Sequence, residues 1–218
     1  MRTAGRVSDA ARAAGYAVLR RAPRTRLAVR HAYWALQKRK YDALAKSIAT
    51  EARTVLFEAY GGRSYACSPK ALYQEMLGDE RFAGCELVWA FREGAVPSDE
   101  PDLEHATIVK RGSSAYFETL ARAGCIVVNN RLPDYVYPKD DQVYVQCWHG
   151  TPLKRLGYDV EIEMESALNT TNELAERFGM DARKWTHLLS PSPYASTHLA
   201  DAFGLPLEKR GSVIVEEG

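Results

Sequence analysis

Residues 143–155 read VYVQCWHGTPLKR. An apolar run with β-favouring residues leads into His149, and Gly150 permits a tight turn. Thr151 then reads as a helix N-cap with Pro152 at the first helical position. A strand that feeds a polar turn and then a helix is the repeating unit of a parallel α/β sheet. The same alternation extends in both directions. Residues 55–60 (VLFEAY), 85–92 (CELVWAFR), 106–110 (ATIVK), 125–129 (CIVVN), 187–190 (HLLS) and 212–215 (SVIV) read as further strands. Residues 69–77, 114–123, 173–178 and 194–203 read as helices between them. The expected fold is α/β, a Rossmann-like parallel sheet flanked by helices, over residues 54–218.

Residues 1–53 differ in kind. Up to Val55 there are 13 Lys/Arg and 3 Asp/Glu, whereas the remainder carries 16 and 25, so the net charge of +1 conceals a basic arm ahead of an acidic domain. Pro23 divides the arm into two expected helices. In the second, Leu27, Trp34, Tyr41 and Ile48 recur every seven residues with Leu44 on the same side, flanked by Arg30, Arg39 and Lys40. A basic helix with an aromatic stripe fits an anionic membrane surface. It fits equally a helix packed on the domain, because periodicity does not name the surface it meets. No apolar stretch reaches the roughly 18 residues that cross a bilayer, and the arginine-rich start is not a secretory signal; a cytoplasmic location is expected. Cys67, Cys85, Cys125 and Cys147 form no CxxC pair and read as buried free thiols. No cofactor, metal or nucleic acid is expected.

In open α/β sheets ligands bind beyond the carboxyl ends of the strands. His149 stands at such an end as a candidate general base, the alternative being a structural histidine in a turn. Gly150, Thr151, Lys154 and Arg155 at the following helix start offer N–H groups and cationic side chains to a phosphate. Asn130 and Arg131 follow the 125–129 strand, where Arg131 presents a planar fork matched to phosphate. Gly62 and Arg63 follow the 55–60 strand in a turn that permits close backbone approach; the pattern is neither a dinucleotide fingerprint nor a phosphate-binding P-loop. Lys110 and Arg111 add positive charge after residues 106–110, and Ser190-Pro191-Ser192-Pro193 can start a helix after 187–190.

The run WHGTPLKRLGYD at residues 148–159 resembles the signature of the CDP-glycerol glycerophosphotransferases, the primases and polymerases of teichoic acids and related capsules. Residues 55–76 (VLFEAYGGRSYACSPKALYQEM), 128–152 (VNNRLPDYVYPKDDQVYVQCWHGTP) and 188–204 resemble, in order, that family's first strand and loop, its centre and its next strand and helix. The resemblance implies the acceptor domain of a glycosyltransferase-B-type fold, with His149 as the base, and a CDP-glycerol pocket on a second domain beyond residue 218. It therefore implies a chain that stops short and lacks autonomous catalysis. It implies transfer of glycerol phosphate from CDP-glycerol to a lipid-linked polyol phosphate acceptor at the cytoplasmic membrane face, with residues 1–53 on the anionic surface. A non-catalytic module binding a polyanion or membrane is the alternative.

Overall fold

The computed structural model describes residues 23–150, 171–205 and 214–216. In chain order the elements are α1 (Pro23–Ser47), β1 (Glu51–Glu58), α2 (Cys67–Gly78), β2 (Glu86–Phe91), β3 (Thr107–Lys110), α3 (Ser114–Arg122), β4 (Ala123–Val128), β5 (Val143–Gln146), α4 (Thr171–Ala182), β6 (His187–Ser190), α5 (Pro193–Ala202) and β7 (Ile214–Glu216). Two short 3₁₀ turns, Glu80–Phe82 and Pro101–His105, lead into β2 and β3. The strands form one seven-stranded sheet in the order β3-β2-β1-β4-β5-β6-β7, every neighbouring pair parallel. The α/β fold expected from the sequence is present, and its boundaries lie within a few residues of those read there. The helix read at Pro152 and the first helix of the arm lie outside the described residues.

Alternation along the strands produces two cores. Leu56, Val88, Ala90, Ile126 and Val128 enter one face, together with Tyr116 and Leu120 of α3 and Ala195 and Leu199 of α5. Their neighbours Val55, Phe57, Leu87, Trp89, Phe91 and Val127 enter the other, closed by Tyr65 and by Tyr73 of α2. Both faces are thus apolar, the pattern that a parallel sheet covered by helices requires. Two helix starts are capped as their residues predict. The Ser113 hydroxyl accepts from the Tyr116 N–H at 3.2 Å, and the Ser192 hydroxyl accepts from the Ala195 N–H at 3.2 Å ahead of Pro193.

The α1 helix resolves the ambiguity of its stripe. Tyr41 and Ala45 are buried in the first core and Ile48 packs against it, while Leu27, Trp34 and Leu44 are half-buried. The heptad stripe therefore faces the domain. Val29, Tyr33 and Leu36, about half exposed, lie on another side of the helix, along with exposed Arg39, Lys40 and Lys46. β1 begins at Glu51, so the arm and the sheet are joined by a short connection before residue 53. No described helix is long and apolar enough to cross a membrane.

Candidate functional site

The strand order reverses direction between β1 and β4, because β2 and β3 continue on one side and β5 to β7 on the other. A crevice opens at such a switch point, at the carboxyl ends of the strands. Its floor is made by three chain segments. After β1 the chain enters a turn in which Tyr60, Gly61 and Gly62 have φ of 50°, 67° and 76°. Gly62 is required by space as well as by φ: a Cβ there would stand 3.0 Å from the Arg92 nitrogen and 3.2 Å from the Ala90 oxygen. Tyr60 bears the left-handed conformation without glycine's freedom, and its N–H is held by the Asn129 Oδ1 at 2.7 Å. Asn129, at the end of β4, is fully buried. That hydrogen bond ties the two strands on either side of the switch point at their carboxyl ends.

The third segment follows β5. The Cys147 N–H continues the ladder to the Val128 oxygen at 2.7 Å, and buried Gln146 turns its Oε1 back to accept the Trp148 N–H at 3.0 Å. Trp148 adopts φ 53° and is buried against Phe203, with ring centroids 4.8 Å apart. The His149 ring lies stacked on Trp148, 4.5 Å away and 18° from parallel, and 5.9 Å from the Tyr60 ring. His149 itself is exposed, and Gly150 follows with φ 145°, with no described residue within 4 Å of where a Cβ would stand. An aromatic floor fixes the plane of the imidazole and leaves its edge to solvent. That is a suitable mounting for proton transfer to or from a bound hydroxyl.

The sequence-derived residues divide into three groups. Gly62, Arg63, Asn130, His149 and Gly150 meet at the carboxyl ends of the adjacent strands β1, β4 and β5. Thr151, Lys154 and Arg155 lie outside the described residues. Arg131 starts at the same edge but sends its guanidinium 4.8 Å over the Phe178 ring. There its Nη1 is buried and, among the described residues, has no hydrogen-bond partner. Burial first, and the neighbouring Arg177 second, hold its pKa below the usual arginine value.

Three further features escaped the sequence reading. Tyr60 and Asn129 were visible only as members of their segments; their pairing depends on strand order, which links positions 69 apart. Glu58, 1% exposed, accepts from Arg111 Nε and the Tyr116 hydroxyl, each at 2.9 Å, and burial raises its pKa against these partners. Cys67 is exposed rather than buried, because it opens α2 with φ 65° at the rim of the crevice. What burial it has would raise its thiol, but hydrogen bonds from Asn129, Tyr60 and Ser68 outweigh that and lower it. Cys85 and Cys125 are half-buried and Cys147 is buried.

Comparison with known proteins identifies the family and the fold. The model of the family described as CDP-Glycerol:Poly(glycerophosphate) glycerophosphotransferase matches residues 41–211. A teichoic acid poly(glycerol phosphate) polymerase of Staphylococcus epidermidis is 32% identical over 172 residues, covering 78% of this chain and 23% of the relative. A teichoic acid glycerol-phosphate transferase of Staphylococcus aureus is 30% identical over 155 residues, covering 71% of this chain and 38% of the relative. The chain therefore spans well under half of these curated relatives. Among solved structures, a histidine variant of the wall teichoic acid polymerase TagF soaked with CDPG superposes with a TM-score of 0.70 at 29% identity, over 89% of this chain and 46% of the solved chain. The chain belongs to the CDP-glycerol:poly(glycerophosphate) glycerophosphotransferase family.

Proposed function

We propose that this chain is the acceptor-side half of a glycerophosphotransferase that extends a polyol phosphate polymer. The terminal glycerol hydroxyl of the acceptor lies against His149, which takes its proton. The hydroxyl oxygen forms a bond to the β-phosphorus of CDP-glycerol as the bridging P–O bond breaks, and CMP leaves with the electron pair. Phosphates of the acceptor meet Asn130, Gly62 and Arg63 on one side and Gly150, Thr151, Lys154 and Arg155 on the other. Arg131 adds positive potential from beneath the loop. The observation that carries this reading is the exposed His149, mounted on Trp148 at the switch point of a family-matched domain.

In this reading CDP-glycerol is held by a second domain, and the acceptor is lipid-linked, in teichoic acid or capsule synthesis. The protein is then peripheral on the cytoplasmic membrane face. Val29, Tyr33 and Leu36, flanked by exposed Arg39, Lys40 and Lys46, suit an interfacial contact better than the buried stripe does. Replacing those three apolar residues by Ser should release the protein from anionic vesicles; unchanged sedimentation would remove the arm from the membrane. For the chemistry, the chain is joined to the remaining half of a TagF-type polymerase and given CDP-glycerol and a glycerol phosphate acceptor. CMP release with lengthening of the acceptor is the expected result. Acceptor binding without transfer in an intact, CDP-glycerol-binding chimera would favour a polyanion-binding module.

A further inference from the structure

Among the described residues, the crevice carries beside Asn130 a second donor, Arg92, to which the proposed function gives no role. The chain leaves β2 at Phe91, and Arg92 is clamped at once to the glycine turn. Its backbone N–H donates to the Gly62 oxygen and its Nε donates to the Gly61 oxygen at 2.9 Å. The guanidinium is thereby held in one orientation, while among the described residues its two Nη groups meet no acceptor. Across Gly61 stands Asn130. Its Oδ1 accepts the Arg131 N–H at 2.8 Å and its backbone oxygen accepts from Gln146 at 3.3 Å, which leaves the Nδ2 donor unused among the described residues.

These two donors flank buried Gly61. The position that a Cβ on Gly61 would occupy is 3.5 Å from Asn130 Nδ2 and 3.6 Å from Arg92 Nη2. Beneath it, buried Glu58 would repel an anion, but Arg111 meets that carboxylate at 2.9 Å and is a larger influence on it than Arg92. The charge of Arg92 remains available, and exposed Arg63 adds a second cation on the same turn. A planar guanidinium held by its own backbone contacts, with an amide N–H on the other side of Gly61, matches the oxygen fork of a phosphate.

We propose that Arg92 and Asn130 form a phosphate-binding subsite over Gly61, separate from the turn that carries His149. It holds an internal phosphodiester of the acceptor while the terminal hydroxyl lies at His149. This rests on the polyol phosphate reading above for the identity of the ligand, but the anion site stands on its own geometry. The subsite fixes the register of a repeating chain and favours acceptors with more than one phosphate.

The test is calorimetric titration of the 218-residue chain with a synthetic glycerol phosphate trimer and, separately, with inorganic pyrophosphate. Arg92→Gln removes the charge at an exposed position, Gly61→Ala sets a methyl group between the two donors, and Arg81→Gln removes an exposed charge elsewhere as a control. Far-ultraviolet circular dichroism checks each fold. The expected result is about tenfold weaker trimer binding for both Arg92→Gln and Gly61→Ala, with Arg81→Gln within twofold of the parent. Trimer affinity unchanged by Arg92→Gln would overturn the subsite while leaving the acceptor reading intact. Pyrophosphate binding that depends on Arg92, with no trimer binding, would support the anion site and overturn the polyol phosphate acceptor. Equal weakening by the Arg81 control, or a chain that binds neither probe, would overturn the subsite.

Discussion

On the β2 side of the sheet, Trp89 is enclosed by rings. It stacks on Phe57 and Phe91, each 5.6 Å away, and meets Tyr65 and Tyr73 edge-on at 4.9 and 5.7 Å. Beyond β5 the packing includes charge. Asp181 and Lys184 face each other at 3.7 Å, each side chain 3% exposed, and Arg177 reaches Asp134 at 2.7 Å. Trp185 donates to Asp181 at 3.2 Å. The first side is stabilised by apolar area and ring geometry, which change little with pH. The second depends on ions removed from water, whose desolvation their partners only partly offset. A domain of one topology therefore has one flank indifferent to pH and one responsive to it, and Arg131, at the crevice, is rooted in the responsive flank.

The largest way to break this comparison is Trp89→Ala, which empties the ring cluster. It should cost about 3–5 kcal/mol in denaturant unfolding, with little pH dependence. Next is Lys184→Met alone, which leaves Asp181 buried without its cation and should cost about 3 kcal/mol at pH 7. The double change Asp181→Asn with Lys184→Met should fall within about 1 kcal/mol of the parent, since removing both charges removes the desolvation cost as well. If single and double variants are equally destabilised, the pair acts by shape and not by charge.

The two flanks also differ in their response to pH. Burial pushes the Asp181 carboxyl from 3.8 up to about 6. A group with a raised folded pKa contributes stability that is fully present below its unfolded value and lost as pH rises through the folded one. The parent should therefore lose up to about 3 kcal/mol from this carboxyl between roughly pH 4 and 6, offset in part by other groups. Asp181→Asn should flatten stability over that window, measured by urea unfolding at several pH values. An unchanged slope would assign the pH response to other carboxylates.

Much of the fold was legible because the strand cores are short apolar runs ended by polar turns, as at residues 125–129 and 187–190. Strand order was not, and with it went the pairing of Tyr60 with Asn129 and the view that Arg92 lies beside Gly61. In the sequence Arg92 is only the last residue of the strand read at 85–92; the parallel neighbour β1 gives it a role. The periodicity of α1 identified an apolar stripe but not its partner, which burial of Tyr41 and Ala45 supplies. Cys67 read as buried among Tyr, Pro and Leu, although its place at the start of α2 exposes it. His149 was legible because Gly, Thr and Pro follow it in a pattern that turns a strand into a helix.

If His149 serves as the base of glycerol phosphate transfer, steady-state transfer by the chimera carrying His149→Ala should show a fall in kcat of about 10²-fold or more, an acceptor KM within about threefold of the parent, and an unchanged fold, since this side chain is exposed and adds little to the core. Near-normal turnover, or a variant that fails to fold, would contradict it and make this histidine a structural partner of Trp148.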